Sequence, residues 1–232
     1  MKHRFTSLYV LRTICISVIV LLPCAVFAQQ KEQLATGVAR GDTAATFRGI
    51  EIGADVVGLI EQWVGHYGQY EAMARASIKD KYFPALELGY GKADITEATT
   101  NNYYHTAAPY IKVGVDFNLL KNKHDDYRLY AGVRYAFTSF KVDVSNASIT
   151  DPVWQQPVTL TVNGNKANCH WAELLFAVDA RIWGPVRMGW SARYLTRLAY
   201  NNGDIGNVWY VPGFGKQGHN RLNGTFNIMI EL

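Results

Sequence analysis

Polar and apolar positions alternate along RLYAGVRYAF, Arg128 to Phe137. Leu129, Ala131, Val133, Tyr135 and Phe137 fall on one side of an extended chain, and Arg128, Tyr130, Gly132, Arg134 and Ala136 on the other. The same period of two recurs in eight segments: about 47–58, 69–79, 83–92, 109–119, 128–137, 170–183, 186–198 and 220–232. Alternation of this length predicts strands with one apolar face each. AMARASIK and WAELLFAVDARI could each form a helix in isolation, but every neighbouring segment has period two.

The connections alternate as well. Asp80-Lys81-Tyr82, KNKHDDY and Gly184-Pro185 are short, while about 138–169 and about 199–218 read as long loops. An even number of strands, short turns at one end and long loops at the other describe an outer-membrane barrel. The predicted fold class is therefore all-β, an eight-stranded antiparallel up-and-down transmembrane β-barrel with short periplasmic turns and long extracellular loops.

The apolar faces carry no charged residue. They include Ile50, Ile52, Ala54 and Val56, then Leu86 and Leu88, Ile111 to Phe117, Ala172 to Ile182, and Leu222 to Leu232, taking every second position. A Lys or Arg at the bilayer midplane costs about 2–4 kcal/mol, so a lipid-facing band must be free of charge. The opposite faces carry Glu51, Asp55, Glu71, Arg75, Glu87, Lys112, Asp116, Arg134, Glu173, Asp179, Arg181 and Arg193. Eight strands leave an interior only wide enough for side chains, so paired charges are expected to fill it. Trp63, Tyr67, Tyr70, Tyr90, Tyr110, Phe137, Trp171, Trp183 and Tyr194 near strand ends suggest interfacial girdles. Eleven residues at ~3.3 Å, tilted about 40°, span roughly 28 Å, close to an apolar band of ~25 Å. Alternation alone leaves open the inverse arrangement, a soluble periplasmic lipocalin-like barrel with the apolar face around a ligand.

The N-terminal segment changes the charge argument. Lys2, Arg4 and Arg12 precede the apolar run ICISVIVLLPCAVFA, which ends in Val26-Phe27-Ala28. This predicts a signal peptide over 1–28, cleaved after Ala28, then a periplasmic linker over 29–46 and the barrel domain over 47–232. The whole chain has 23 basic and 19 acidic residues; removing three basic ones leaves 20 against 19. No basic stripe remains for nucleic acid. Cys15 and Cys24 leave with the signal, so Cys169 has no partner for a disulfide within the chain.

KDKYFPALELGYGKAD, Lys79 to Asp94, together with YIKVGVDFNLL, Tyr110 to Leu120, resembles a bacterial family of small outer-membrane barrels, domain of unknown function 6048. The resemblance runs from about Arg48 to the end. It implies fold and location, and brings no activity and no functional residues with it.

Candidate chemistry is sparse. His170, Ser139 and Glu173 are the candidate catalytic set, since some small barrels hydrolyse lipid A with a His beside Ser and an acid at the outer rim. VGHYGQY lacks the strand–turn–helix context of a phosphate loop. No metal-ligand spacing or cofactor fingerprint occurs, and no cofactor is expected. Trp154, Trp209 and Tyr210 are candidate loop-binding residues. The expectation is a structural or loop-binding outer-membrane protein, a monomer whose partners are outer-membrane lipid, lipopolysaccharide and the barrel-assembly machinery. A rim lipid A esterase is the distinct alternative.

Overall fold

The computed structural model describes residues 47–98, 100–122, 125–151, 153–203, 208–216 and 218–232. The expected signal peptide and linker lie outside the described residues. Among the described residues the strands are β1 (Phe47–Asp55), β2 (Tyr67–Ile78), β3 (Tyr82–Thr96), β4 (Tyr103–Asn118), β5 (Tyr127–Thr150), β6 (Pro157–Trp183), β7 (Val186–Asn201), β8 (Tyr210–Val211), β9 (Gly215–Lys216) and β10 (Asn220–Glu231), and a helix, α1 (Val56–Val64), lies between β1 and β2. β1 to β7 and β10 form a closed antiparallel barrel in which β10 pairs with both β1 and β7. Closure satisfies both edges of the sheet. β8 and β9 form a separate two-stranded sheet.

The eight predicted strand segments all lie on barrel strands, but several boundaries move. Strand one stops at Asp55 rather than continuing to 58. The Asp55 carboxylate accepts hydrogen bonds from the backbone N–H of Val57 and Gly58 and starts α1 as its N-cap. Val56 thus belongs to the helix. The long loop expected over about 138–169 is instead mostly sheet. β5 and β6 continue as a hairpin with its turn at 151–156, beyond the start of β4 (Tyr103 opposite Ser145) and the end of β7 (Asn201 opposite Asn168).

At the other end the turns are tight, as the sequence predicts. Lys79 and Asp80 both take positive φ, 54° and 52°. That uncommon backbone is held by Ser77 Oγ donating to Asp80 at 2.7 Å and by Asn118 Nδ2 donating to the Asp80 carbonyl at 3.1 Å. Gly184, at φ +53°, makes the turn into Pro185.

Side-chain direction follows the predicted parity. Leu129, Val133, Tyr135, Leu174, Phe176, Ile228 and Ile230 are exposed on the outer wall, while Arg128, Tyr130, Arg134 and Ala136 are buried inside. The lipocalin-like arrangement needs the opposite placement and does not occur. Three girdle assignments also fail. Tyr67 has the inward parity, opposite the buried Ala93, and packs on Trp209 and Tyr210 with ring centroids 5.5 and 6.0 Å apart. Tyr110 and Trp171 stand on the inward parity and are buried at 3% and 0% exposure. Tyr70, Tyr90, Trp183 and Tyr194 do face outward.

The parity changes its meaning part-way up the barrel. On β5 the outward residues up to Phe137 are apolar, and those beyond it are Ser139, Lys141 and Asp143. The inward residues switch the other way, from Arg128 and Arg134 to Phe140, Val142 and Val144. Neighbouring strands switch at the same level. Tyr90 pairs with Pro109, Tyr110 with Thr138, and Phe137 with His170. Beyond that level β3 points Lys92 and Asp94 outward, β4 His105, and β6 Asn168 and Lys166, while Ala93, Tyr104, Ala167 and Cys169 turn inward. One sheet thus has an apolar outer surface below the switch and a water-compatible one above it. On β6 the lower band from Ala172 to Ile182 is roughly 25 Å tall at a tilt of about 40°.

Candidate functional site

The lumen is filled in two layers. The lower layer holds six buried carboxylates, Glu51, Glu71, Glu87, Asp116, Glu173 and Asp179, and six buried cations, Arg75, Lys112, Arg128, Arg134, Arg187 and Arg193. Charges removed from water must be paired to persist, and here every cation has an acidic neighbour. Arg75 bridges Glu51 at 2.6 Å and Asp179 at 2.9 Å. Arg128 binds Glu51 and, at 3.0 Å, Glu231. Arg187 closes on Asp179 at 2.7 Å.

A second group sits nearer the loop end. Arg193 reaches Glu87 at 2.7 Å and Glu173 at 3.2 Å, and Lys112 reaches Glu71 at 2.9 Å and Glu173 at 3.1 Å. Arg134 grips Asp116 with two nitrogens at 2.6 and 2.8 Å and also reaches Glu87 at 3.1 Å. Asp116 joins the groups, since Arg75 lies 3.7 Å from it. Many of these pairs cross the lumen between strands that are not neighbours. They therefore tie opposite walls together.

Aromatic groups roof this layer. Tyr110 donates its hydroxyl proton to Glu71 at 2.8 Å, and Trp171 donates its indole N–H to Glu173 at 2.8 Å. Gly89 makes room for the first of these: a Cβ there would overlap the Tyr110 ring. Above them the segment that contains β8 and β9 folds back into the mouth. Val208, Val211 and Phe214 are buried against Tyr110, Ala136, Phe140, Val142, Trp171 and Leu195. The Phe214 ring meets Trp171 edge-on, with centroids 5.9 Å apart. In the charged layer, the void beside Met73, Arg75, Glu87, Asp116, Arg134 and Arg193 measures about 20 Å³, room for roughly one water.

The sequence-derived residues fare unevenly. Glu51, Glu71, Arg75, Glu87, Lys112, Asp116, Arg134, Glu173, Asp179 and Arg193 come together as the lumen network. Asp55 is buried too, but it serves α1 and the backbone N–H of Phe226 rather than an ion pair. Arg181 is not a lumen residue. It lies at the turn-end rim, 43% exposed, on Glu231. Arg128 and Arg187, which the alternation in the sequence also puts on the lumen side, are full members as well.

The catalytic constellation is not assembled. Glu173 points into the lumen, whereas Ser139 and His170 lie on the outer surface. His170 Nδ1 shares a hydrogen bond of 2.6 Å with the Tyr135 hydroxyl, and its ring packs on Phe137 at 4.6 Å. The barrel wall separates base and acid. Of the loop candidates, Trp154 is 77% exposed at the hairpin tip. Trp209 is half-buried, and Tyr210 is buried with its hydroxyl donated to the Gly68 carbonyl at 3.1 Å. That segment folds into the barrel rather than standing out in solvent.

The sequence matches the family DUF6048, Domain of unknown function, over residues 10–231. The chain belongs to the DUF6048 family. No match to a curated protein reaches significance. Among solved structures, this DUF6048 barrel is similar to Neisserial surface protein A of Neisseria, at 11% identity and a TM-score of 0.44, over 81% of this chain and 100% of that one. It is also similar to Ail, the attachment invasion locus protein of Yersinia pestis, solved with the heparin analogue sucrose octasulfate, at 8% identity and a TM-score of 0.38, over 79% and 96%. A major outer membrane protein from Thermus thermophilus is similar at 15% identity and a TM-score of 0.44, over 82% and 100%.

Proposed function

We propose that this chain is an outer-membrane barrel with a closed lumen, which acts as a structural element of the membrane and as a rigid base for binding at its loop end. One observation carries the reading: the apolar outer wall ends at a single level on several adjacent strands, where the outer surface becomes polar and the lining becomes apolar. A soluble barrel has no use for such a level, whereas a bilayer imposes one. The protein reaches the outer membrane through a cleaved signal peptide and the barrel-assembly machinery, and works there as a monomer amid lipid and lipopolysaccharide. The turn end faces the periplasm and the loop end the exterior. Paired charges below and an apolar cap above fill the bore, which favours this reading over a pore. The binding element is the long β5–β6 hairpin with Val153 and Trp154 at its tip.

Gel mobility of the unboiled and boiled protein from a purified outer-membrane fraction tests this. A folded barrel migrates faster unboiled. A protein that carbonate washes off the membrane, with no shift in mobility, would overturn the membrane reading.

A further inference from the structure

The outer wall has a hollow beside α1. Ala54 of β1 and Ala72 of β2 are cross-strand partners. Around the same ring stand Ile228, Leu88 and Ile111, opposite Ala54, Ala72 and Leu88 respectively. These two adjacent small side chains, between Ile228 on one side and Leu88 on the other, leave a cleft of about 390 Å³, flanked by Leu88, Tyr70 and Tyr90 and reached from the loop end by Leu59 of α1. Its volume lies within the ~300–1,000 Å³ usual for small-ligand sites.

The surroundings indicate what fills it. The cleft is continuous with the apolar band. Tyr70 and Tyr90, paired across β2 and β3, mark the level where that band ends. Lys92 is the next outward residue of β3 after Tyr90, opposite Gly68, where a Cβ would meet Gln62 of α1. On α1 itself Ile60 and Trp63 are exposed, Trp63 at 89%. An apolar slot, a cation one outward position beyond it on β3 and an exposed indole one turn beyond Leu59 on α1 match the layers of a lipid: acyl chain, phosphate and interface.

We propose that this cleft holds one acyl chain of lipid A, with a lipid phosphate against Lys92. The assignment rests on the membrane reading above, which puts the loop end in the outer leaflet. It makes this part of the wall a specific lipid site rather than generic bilayer contact, with α1 as its upper edge.

The test uses full-length protein in nanodiscs of phosphatidylethanolamine and phosphatidylglycerol with added lipid A. After release into mild detergent, native mass spectrometry counts the retained lipids. The wild type should keep one lipid A. Ala72→Trp, which fills the cleft, and Lys92→Glu, which repels phosphate, should each lower that occupancy about tenfold or more. Both side chains point outward, so the heat-dependent gel shift should survive in both variants. Three results would overturn the site: no retained lipid A on a heat-shifted wild-type barrel, retention that neither variant lowers, or phospholipid retained as readily as lipid A. A wild-type protein that shows no heat shift and does not insert would instead overturn the membrane reading, and this site with it.

Discussion

Replacing Glu87 by alanine removes the carboxylate on which three cations converge. Glu87 is fully buried, with Arg193 at 2.7 Å, Arg134 at 3.1 Å and Lys112 at 3.9 Å. The lumen layer would then hold six cations against five of its six carboxylates. Removing one partner of a buried pair costs about 3–5 kcal/mol, because a charge is stranded away from water. The stranded groups here keep other partners. Arg134 retains both contacts to Asp116, and Arg193 retains Glu173 at 3.2 Å. The loss therefore belongs at the low end, ~3 kcal/mol, or about a hundredfold in the folding equilibrium. Urea unfolding in detergent micelles, followed by tryptophan fluorescence and by gel mobility, measures it. Glu87→Gln keeps an acceptor for the guanidinium groups and should lose less, about 1–2 kcal/mol. The double variant Glu87→Met with Arg193→Met should lose clearly less than the sum of the two single methionine substitutions, since an apolar pair leaves fewer unmatched charges. An unchanged midpoint for Glu87→Ala, or strict additivity in the double variant, would refute the account of the lumen as a mutually dependent charge network.

Gly89→Ala pushes a Cβ into the Tyr110 ring and breaks its bond to Glu71; the unfolding midpoint should fall by an amount equivalent to about 1–3 kcal/mol. In planar bilayers the wild type should show no steady conductance. Phe214→Ala should stay silent as well, because the charged layer beneath the cap still fills the bore; open-channel steps would refute that. His170→Ala and Ser139→Ala should leave the acyl composition of lipid A unchanged by mass spectrometry, since Glu173 lies on the other side of the wall. Trp154→Ser should leave the unfolding midpoint within about 0.5 kcal/mol and weaken binding to whatever surface the hairpin engages, read as cell or matrix adhesion. Asp151 should titrate below the usual carboxylate range by NMR, because the backbone N–H groups of Trp154 and Val153 donate to it at the hairpin turn.

Much of this was legible from parity alone. In a strand, position i fixes the face of i+2, so Arg128 and Arg134 inward and Leu129 and Val133 outward follow from one another. Tyr110 and Trp171 carry the same lesson, since their parity places them inside even though their chemistry suggests a girdle. The helix α1 had a local signature too. Asp55 precedes it as an N-cap, Gly65 follows it, and Leu59, Ile60, Trp63 and Val64 are spaced for a helix. A period-two reading carried through Val56 hid it. The catalytic trio failed for the same reason of parity, because Glu173 and His170 are separated by an odd number of positions on one strand.

What the sequence determined by itself is the presence of eight barrel strands, the alternation of faces along each and the tight turns, all of which depend on neighbours a few residues away. Three features were decided only by the tertiary structure. The residues Ser139 to Val144 read as loop because their outward side chains are polar, yet they continue the sheet, since their inward Phe140 and Val142 meet an apolar filling that comes from 208–216. Tyr210 is buried because its segment folds into the barrel mouth, which no local pattern encodes. The pairing of Arg75 with Asp179 and of Arg193 with Glu87 spans more than a hundred residues of chain. Sequence supplies the charges, but only closure of the barrel brings opposite walls close enough for each charge to find its partner away from water.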